Sequence, residues 1–360
     1  MPITEELVRQ TLGAHVPADA IRAVHVLGSD VSVTALGGGT HAELGATIRK
    51  ALSGLEGVGA IDVRWADTPP SRVVAPTDPV KDVHNVVLVM SGKGGVGKST
   101  VATNLALALA RAGYRVGLLD ADLYGPSIPT MLGVSGRPVS LDGKTIEPLE
   151  RFGVKLMSIG FLVDDPKQAI VWRGPMLHGA LNQFLKDMNW GSLDFLVLDL
   201  PPGTGDVTLS ISQAVAVTGA VIVTTPQNVA TDDVYKSVSM CKKVNIPILG
   251  VVENMSFFID TAGVRHELFG KGGGEAVAAF AEAPLLGQVP IESQVREWGD
   301  KGTPVVQAAP SSSIARTFMG VADALVDVIE SRAQSGDVAD AGPEIDRSGG
   351  TGKKRLPIAH

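Results

Sequence analysis

The sequence is poor in cysteine, in net positive charge and in long apolar runs. Its only cysteine, Cys241, excludes an intramolecular disulfide and any metal site built from several cysteines of one chain. No run of 18 apolar residues predicts a membrane span, and the N-terminal residues lack the basic and apolar blocks of a signal peptide. A net charge of −7 argues against a broad basic surface for nucleic acid. We therefore expect a cytoplasmic protein with neither membrane nor nucleic acid as a partner.

The hydrophobic content is 44%, and 360 residues are enough for two domains. Residues 1–66 alternate short helical and strand patterns, which predicts a small α+β domain. The predicted helices are 5–12 and 44–52, and the predicted strands are 21–26, 31–36 and 61–65. Four prolines in the segment 67–83 predict a stiff, exposed linker after this domain.

Apolar runs alternate with helical stretches through residues 84–334. The runs are 86–90, 116–119, 195–198, 221–225, 248–252 and 285–289. Such repetition predicts an α/β domain with a mostly parallel, doubly wound sheet, whose ligands bind beyond the carboxyl ends of the strands. Residues 335–360 are rich in Gly, Asp and Ser and predict a disordered tail.

A glycine-rich stretch directly follows the first of these apolar runs. Gly92, Gly97, Lys98 and Ser99 match the phosphate-loop pattern G-x-x-x-x-G-K-[ST], in which backbone N–H groups and a helix N-terminus surround phosphate oxygens. The pattern predicts that Lys98 reaches the β- and γ-phosphates and that the Ser99 hydroxyl ligates Mg²⁺. The predicted nucleotide-binding residues of the loop are Gly92, Lys93, Gly94, Gly95, Val96, Gly97, Lys98, Ser99 and, as the weakest candidate, Thr100.

Carboxylates stand at the ends of two further apolar runs. Asp199 follows the run 195–198, where a strand would deliver it to the Mg²⁺ shell beside the phosphate loop. Asp120 and Asp122 follow the run 116–119, and one of them is expected to orient the attacking water. The prolines and glycines of residues 201–206 suit a loop that changes shape with the γ-phosphate.

Lys93 is not required by the general phosphate-loop pattern. The stretch from Lys93 to Ser99 resembles the deviant Walker A loop of the MinD, ParA and nitrogenase iron protein class. This resemblance implies ATP as the nucleotide and a homodimer in which Lys93 contacts nucleotide across the interface. Lys93 and Lys98 are therefore both candidate catalytic residues.

Further motifs resemble those of the Mrp/ApbC branch, whose members are ATP-dependent iron–sulfur cluster carriers. These motifs lie at residues 119–129, 172–176, 199–206, 224–227 and 253–256, and the resemblance covers roughly residues 84–330. It implies that Asp122 is the catalytic, water-positioning acid, that Asp199 belongs to the Mg²⁺ shell and that Asn254 contacts adenine. It also implies iron–sulfur apoproteins or assembly factors as partners. Trp172 and Arg173 would lie at a partner or dimer surface, although Trp172 fits a core position equally well.

The sequence departs from this family pattern at the expected cluster ligands. Carriers usually have a Cys-x-x-Cys shortly after the Asn-Met-Ser segment, whereas residues 257–270 contain no cysteine. Asp260, His266 and Glu267 are more typical of charged loop residues than of a metal site. Cys241 lies in a helical stretch at 234–244 and is predicted to be a packing thiol. The iron–sulfur ligands are therefore unknown at this stage.

Three functions are compatible with these patterns. The first is a homodimeric ATPase that carries an iron–sulfur cluster. The second is a positioning switch like MinD or ParA, although the tail lacks an amphipathic helix for a membrane and the acidic chain does not favour DNA. The third is an ATP-dependent adaptor that acts on apoproteins or assembly factors and carries no cluster.

Overall fold

The computed structural model describes residues 3–36, 41–65, 72, 74–122, 125–140, 142–162, 174–203 and 205–337. The chain divides into two compact units. One comprises Met1–Pro69 with Leu109–Tyr114, and the other comprises Pro70–Ala108 with Arg115–His360. Among the described residues, no helix has the length and apolar character needed to cross a membrane.

The first unit contains a three-stranded sheet and two helices. Its elements are α1 (Glu5–Gly13), a short 3₁₀ turn (Ala18–Ala20), β1 (Ile21–Leu27), β2 (Asp30–Ala35), α2 (His41–Ser53) and β3 (Ile61–Trp65). Strands β1 and β2 are antiparallel, and β2 and β3 are parallel across α2. The hydroxyl of Thr4 caps α1 by accepting a hydrogen bond from the N–H of Leu7. The core of this unit is aliphatic: Val8, Leu12, Val16, Val24, Val31, Val33, Ala35, Ile48, Leu52 and Val63.

The second unit is built on an eight-stranded sheet. Its strands are β4 (Val83–Met90), β5 (Val116–Asp120), β6 (Leu149–Arg151), β7 (Val154–Ser158), β8 (Leu193–Asp199), β9 (Gly219–Thr224), β10 (Ile248–Glu253) and β13 (Leu285–Gln288). A separate two-stranded hairpin is formed by β11 (Phe258–Ile259) and β12 (Arg265–His266). The helices are α3 (Lys98–Arg111), α4 (Ile128–Leu132), α5 (Gly174–Lys186), α6 (Gly205–Ala214), α7 (Asn228–Lys243), α8 (Gly273–Ala281), α9 (Ser293–Asp300), α10 (Val305–Ala308) and α11 (Ser313–Gln334), with a 3₁₀ turn at Ile159–Leu162.

The strand order of the large sheet is β13-β10-β9-β4-β8-β5-β7-β6. Only β6 runs antiparallel to its neighbour, and the buried strands β5, β8 and β9 have no exposed residue, as expected for a parallel sheet covered on both faces. The predicted α/β fold with a mostly parallel sheet is confirmed. All six strands predicted from the apolar runs are present. Strands β6, β7, β11 and β12 were not predicted, because they are short or are interrupted by charged residues.

Part of the second half of the predicted linker is buried. Arg72 and Asp78 are each 8% exposed, and they form an ion pair of 2.7 Å between Nη1 and Oδ2. The Arg72 guanidinium also donates to the backbone oxygens of Val80, Val83 and Ala216. Ala216 lies 144 positions away in the sequence, so proline content alone does not indicate that Arg72 and Asp78 are buried. Residues 66–71 and 73 lie outside the described residues, as does the predicted tail from residue 338 onward.

Cys241 lies on α7 and is fully buried. Its Sγ is 3.5 Å from the Sδ of Met90, on β4. Burial raises the pKa of the thiol to about 12. The predicted packing role therefore agrees with the structure, and Cys241 presents no thiolate at the surface.

The burial of Cys241 predicts a chemically silent thiol. Iodoacetamide or a maleimide should not label the native protein at pH 8, because a pKa of about 12 leaves the thiolate fraction about 10³-fold lower than for a free cysteine. The measurement is the adduct mass by intact mass spectrometry, with the urea-unfolded protein as the control that labels fully. Rapid native labelling would contradict this packing of α7 on β4.

Candidate functional site

The loop between β4 and α3 has the backbone geometry that a phosphate loop needs. Gly95 and Gly97 have φ angles of +82° and +81°, in the left-handed region that favours glycine. A Cβ on Gly92 would collide with the backbone of Val234 on α7. Three of the four loop glycines therefore meet a geometric requirement, and the successive N–H groups of the loop lead directly into the N-terminus of α3.

An ion pair between Lys98 and Asp199 lies beneath this loop. Lys98 Nζ is 2.5 Å from Asp199 Oδ1 and 3.3 Å from Ser99 Oγ, and the two charged side chains are 6% and 0% exposed. Burial raises the pKa of Asp199, and the charge of Lys98 acts in the opposite direction. The second oxygen, Asp199 Oδ2, is buried without a hydrogen-bond partner among the described residues. This orphaned acceptor and the Ser99 hydroxyl supply the oxygen donors that Mg²⁺ prefers.

The parallel sheet explains why these residues meet. Strand β8 lies between β4 and β5, so that Asp199 pairs in register with Val89 on one side and with Asp120 on the other. Asp120 is fully buried, and burial together with the neighbouring Asp199 raises its pKa to about 8. Its carboxyl group accepts hydrogen bonds from Ser158 Oγ at 2.9 Å and from the backbone N–H of Asp122 at 3.1 Å. Two carboxyl groups thus lie side by side at the carboxyl edge of the sheet.

Asp122 is the acid that reaches the cleft. Its Oδ2 is 3.7 Å from Lys98 Nζ, and its side chain is 13% exposed. The cleft has a volume of about 220 Å³ and is lined by the loop together with Asp122, Ser127 and Pro202. Asp120 and Asp199 are not among its lining residues. Of Asp120 and Asp122, only Asp122 therefore lines the cleft.

Lys93 also lines the cleft. Its backbone oxygen accepts a hydrogen bond from the Ser91 hydroxyl, whereas its ammonium group has no partner among the described residues. The loop residues on both sides of Lys93 are held by α7 and by Pro202. Lys93 is therefore a cleft-lining cation whose ammonium group has no partner among the residues that the structure describes.

Asn254 follows β10 and packs against the phosphate loop. Its Nδ2 donates to the backbone oxygen of Val96 at 2.8 Å, and a Cβ on Gly97 would collide with the same nitrogen. Asn254 is 6% exposed. One amide hydrogen is thus committed to holding the loop, which is a role that the sequence did not predict. The predicted adenine contact would use the rest of the amide.

Glu253, the last residue of β10, holds both ends of the next segment. Its Oε1 accepts from Ser256 Oγ at 2.5 Å and from Gln288 Nε2 at 2.9 Å, and its Oε2 accepts from the backbone N–H of Gly274 at 2.5 Å. Glu253 is fully buried. One carboxylate therefore closes the segment 256–274 at its base. The sequence does not predict this role, because the partners Gly274 and Gln288 are 21 and 35 positions away along the chain.

The β11–β12 hairpin occupies the position where the Cys-x-x-Cys would be expected. Asp260 Oδ2 and His266 Nε2 are 2.7 Å apart, and the described residues contain no group of three His, Cys, Asp or Glu side chains that would hold a metal ion. Exposed apolar side chains are frequent in this segment: Phe258, Ile259, Val264, Leu268 and Phe269. Trp172 and Arg173, predicted at a partner surface, lie outside the described residues.

The chain resembles known proteins over most of its length. The family model that describes the NUBPL iron-transfer P-loop NTPase, of the ParA type, matches residues 82–326. An iron-sulfur cluster carrier protein of Synechocystis sp. is 48% identical over 280 residues, which cover 76% of this chain and 79% of that protein. An iron-sulfur cluster carrier protein of Aquifex aeolicus is 52% identical, with 70% of each chain covered.

A solved structure agrees with the fold. The nucleotide-binding protein of Archaeoglobus fulgidus, in complex with ADP, is 38% identical with a TM-score of 0.55, and the match covers 64% of this chain and 92% of that one. The family model spans well over half of the chain and covers the phosphate loop, Asp122, Asp199 and Asn254. The chain therefore belongs to the ParA-type family of NUBPL iron-transfer P-loop NTPases.

Proposed function

We propose that this protein is a homodimeric ATPase that binds iron–sulfur clusters and transfers them to target apoproteins. The observation that carries the ATPase part is the convergence of Lys98, Ser99, Asp122 and Asp199 on one phosphate loop. The relatives named as iron-sulfur cluster carriers support the cargo, since about half of their aligned residues are identical to those of this chain.

Each residue of the cleft has a distinct task in hydrolysis. The N–H groups of the loop bind the β- and γ-phosphate oxygens, and Lys98 exchanges Asp199 for these oxygens. The Ser99 hydroxyl and Asp199 would hold the Mg²⁺ shell, and Mg²⁺ would supply charge neutralisation on the phosphates. Asp122 accepts a hydrogen bond from the attacking water and aims it at the γ-phosphorus. The buried position of Lys98 and Asp199 strengthens these electrostatic interactions relative to water.

Lys93 supports the homodimer in this proposal. Its ammonium group lies at the cleft and has no described partner within the chain. The resemblance of its loop to the deviant Walker A class assigns such a lysine to nucleotide bound by the opposite protomer. A second protomer would complete the charge around the phosphates, and dimerisation would then depend on bound ATP.

The cluster is the cargo, and its ligands must differ from the usual pair of cysteines. Cys241 is buried, and two copies in a homodimer provide only two thiols. Thiolates are the preferred ligands of iron–sulfur clusters. The low cysteine content is therefore the one observation that favours the adaptor function. A direct measurement of cluster binding distinguishes the adaptor from the cluster carrier.

Replacing the phosphate-loop lysine tests the nucleotide site. Lys98→Ala should abolish ATP hydrolysis and weaken ATP binding, because it removes the cation that contacts the β- and γ-phosphates and leaves Asp199 as an unpaired buried acid. Phosphate release and fluorescent-ATP titration measure the two effects. Lys144→Ala, at an exposed site outside the cleft, is the matched control. Wild-type turnover by Lys98→Ala would disprove the site.

Replacing Asp122 should separate binding from turnover. Asp122→Ala should bind ATP with nearly unchanged affinity and hydrolyse it about 10²-fold more slowly, as is typical when a group that accepts a proton or orients water is removed. Single-turnover hydrolysis and equilibrium titration are the measurements, and Asp300→Ala, exposed on α9, is the control. A loss of ATP binding instead of turnover would mean that Asp122 does not position water.

The cargo is tested by anaerobic reconstitution of the full-length protein with iron and sulfide. We expect iron and sulfide in stoichiometric amounts per dimer of the wild type, and Cys241→Ala tests whether the single thiol of each chain is a ligand. Transfer to an apoprotein should require ATP and should fail with Lys98→Ala. An absence of cluster together with intact ATPase activity would contradict carriage and establish the adaptor function instead. Loss of cluster in Cys241→Ala would make that thiol a ligand after a rearrangement of α7.

A further inference from the structure

The buried Asp120 has no part in the chemistry described so far. It is the last residue of β5, it is fully buried, and it does not line the cleft. Both of its carboxyl oxygens nevertheless make hydrogen bonds. Burying a carboxyl group costs free energy unless hydrogen bonds compensate for the lost water. The two hydrogen-bond partners of Asp120 therefore indicate its role.

One partner of Asp120 is the backbone of the water-positioning acid. Asp120 Oδ1 accepts from the N–H of Asp122 at 3.1 Å. The intervening residue is held as well, because the N–H of Ala121 donates to the backbone oxygen of Asp199 at 2.9 Å. The two residues that leave β5 are thus tied to the ends of two strands. These hydrogen bonds fix the backbone from which the Asp122 side chain extends.

The other partner is Ser158, at the end of β7. Ser158 is fully buried, and β7 pairs in register with β5 so that Ser158 lies opposite Asp120. Its hydroxyl donates to Asp120 Oδ2 at 2.9 Å and accepts from the N–H of Gly160 at 3.0 Å. A continuous chain of hydrogen bonds therefore runs from Gly160 through Ser158 and Asp120 to Asp122.

We propose that Asp120 and Ser158 are positioning residues for ATP hydrolysis, which act by fixing the backbone of Asp122 relative to Lys98 and the phosphate loop. Asp120 contacts neither water nor nucleotide in this role, in agreement with its full burial. The inference rests on the proposed function, because it requires Asp122 to orient the attacking water. A displacement of about 1 Å in a catalytic group reduces turnover by as much as ~10²-fold, so this support is expected to matter.

The test compares the turnover number and ATP affinity of three single variants of the full-length protein with those of the wild type. Asp120→Ala should lower kcat about 10- to 100-fold, with ATP affinity within about twofold of the wild type. Asp120→Asn should recover most of the turnover, because the amide retains an acceptor for the Asp122 N–H and pairs with the Ser158 hydroxyl. Ser158→Ala should lower kcat less than Asp120→Ala, because the hydrogen bond to Asp122 remains.

A double variant separates positioning from a general structural effect. If Asp120 acts through Asp122 alone, Asp120→Ala should have no further effect on kcat when Asp122 is already alanine. An additional loss in that background would overturn the proposal, as would wild-type turnover in both Asp120→Ala and Ser158→Ala. Thermal unfolding of each variant identifies misfolding, and Ser158→Ala decides the question if Asp120→Ala does not fold. Absence of hydrolysis by the wild type would refute the proposed ATPase activity itself, which is a distinct outcome.

Discussion

The buried ion pair between Lys98 and Asp199 is the interaction on which the cleft depends. Removing two charges from water costs several kcal/mol per ion, and only a close contact with further hydrogen bonds offsets this cost. Here the contact is 2.5 Å, yet one Asp199 oxygen has no partner in the described structure. The pair is therefore satisfied only in part. A ligand that brings negative charge to Lys98 and a cation to Asp199 satisfies both ions at once, and a magnesium-bound triphosphate has this distribution of charge.

The parallel sheet is what makes this ion pair possible. Lys98 and Asp199 are about a hundred positions apart in the sequence, but β4 and β8 are hydrogen-bonded neighbours. Their carboxyl ends meet at one edge, where β5 adds Asp120 and then Asp122. The same arrangement forces Asp120 and Asp199 together, which is why burial and mutual repulsion raise the pKa of Asp120 to about 8. A charged, reactive edge is thus produced by a framework that is otherwise almost entirely aliphatic.

The sequence predicted those parts of the site that depend on local pattern. The phosphate loop follows from its glycines and lysine, and the ends of apolar runs indicate Asp199 and the pair Asp120 and Asp122. The choice of Asp122 within that pair came from the resemblance to the Mrp/ApbC branch. Residues whose role depends on a distant partner were not predicted. Ser158 acts through the pairing of β7 with β5, Glu253 through Gly274, and Arg72 through Ala216. No spacing rule reports such pairings, because they are set by the packing of strands and loops that lie far apart in the sequence.

The Glu253 carboxylate separates the segment between Ser256 and Gly274 from the part of the domain that holds the phosphate loop. It ties Ser256 to Gly274, so the residues between them leave the domain and return to it at a single closed base. The strand before this base and Asn254 beside it remain attached to the phosphate loop. The segment between is therefore anchored separately from the hydrogen bond that holds the phosphate loop, so a change in its length or chemistry should leave that bond intact.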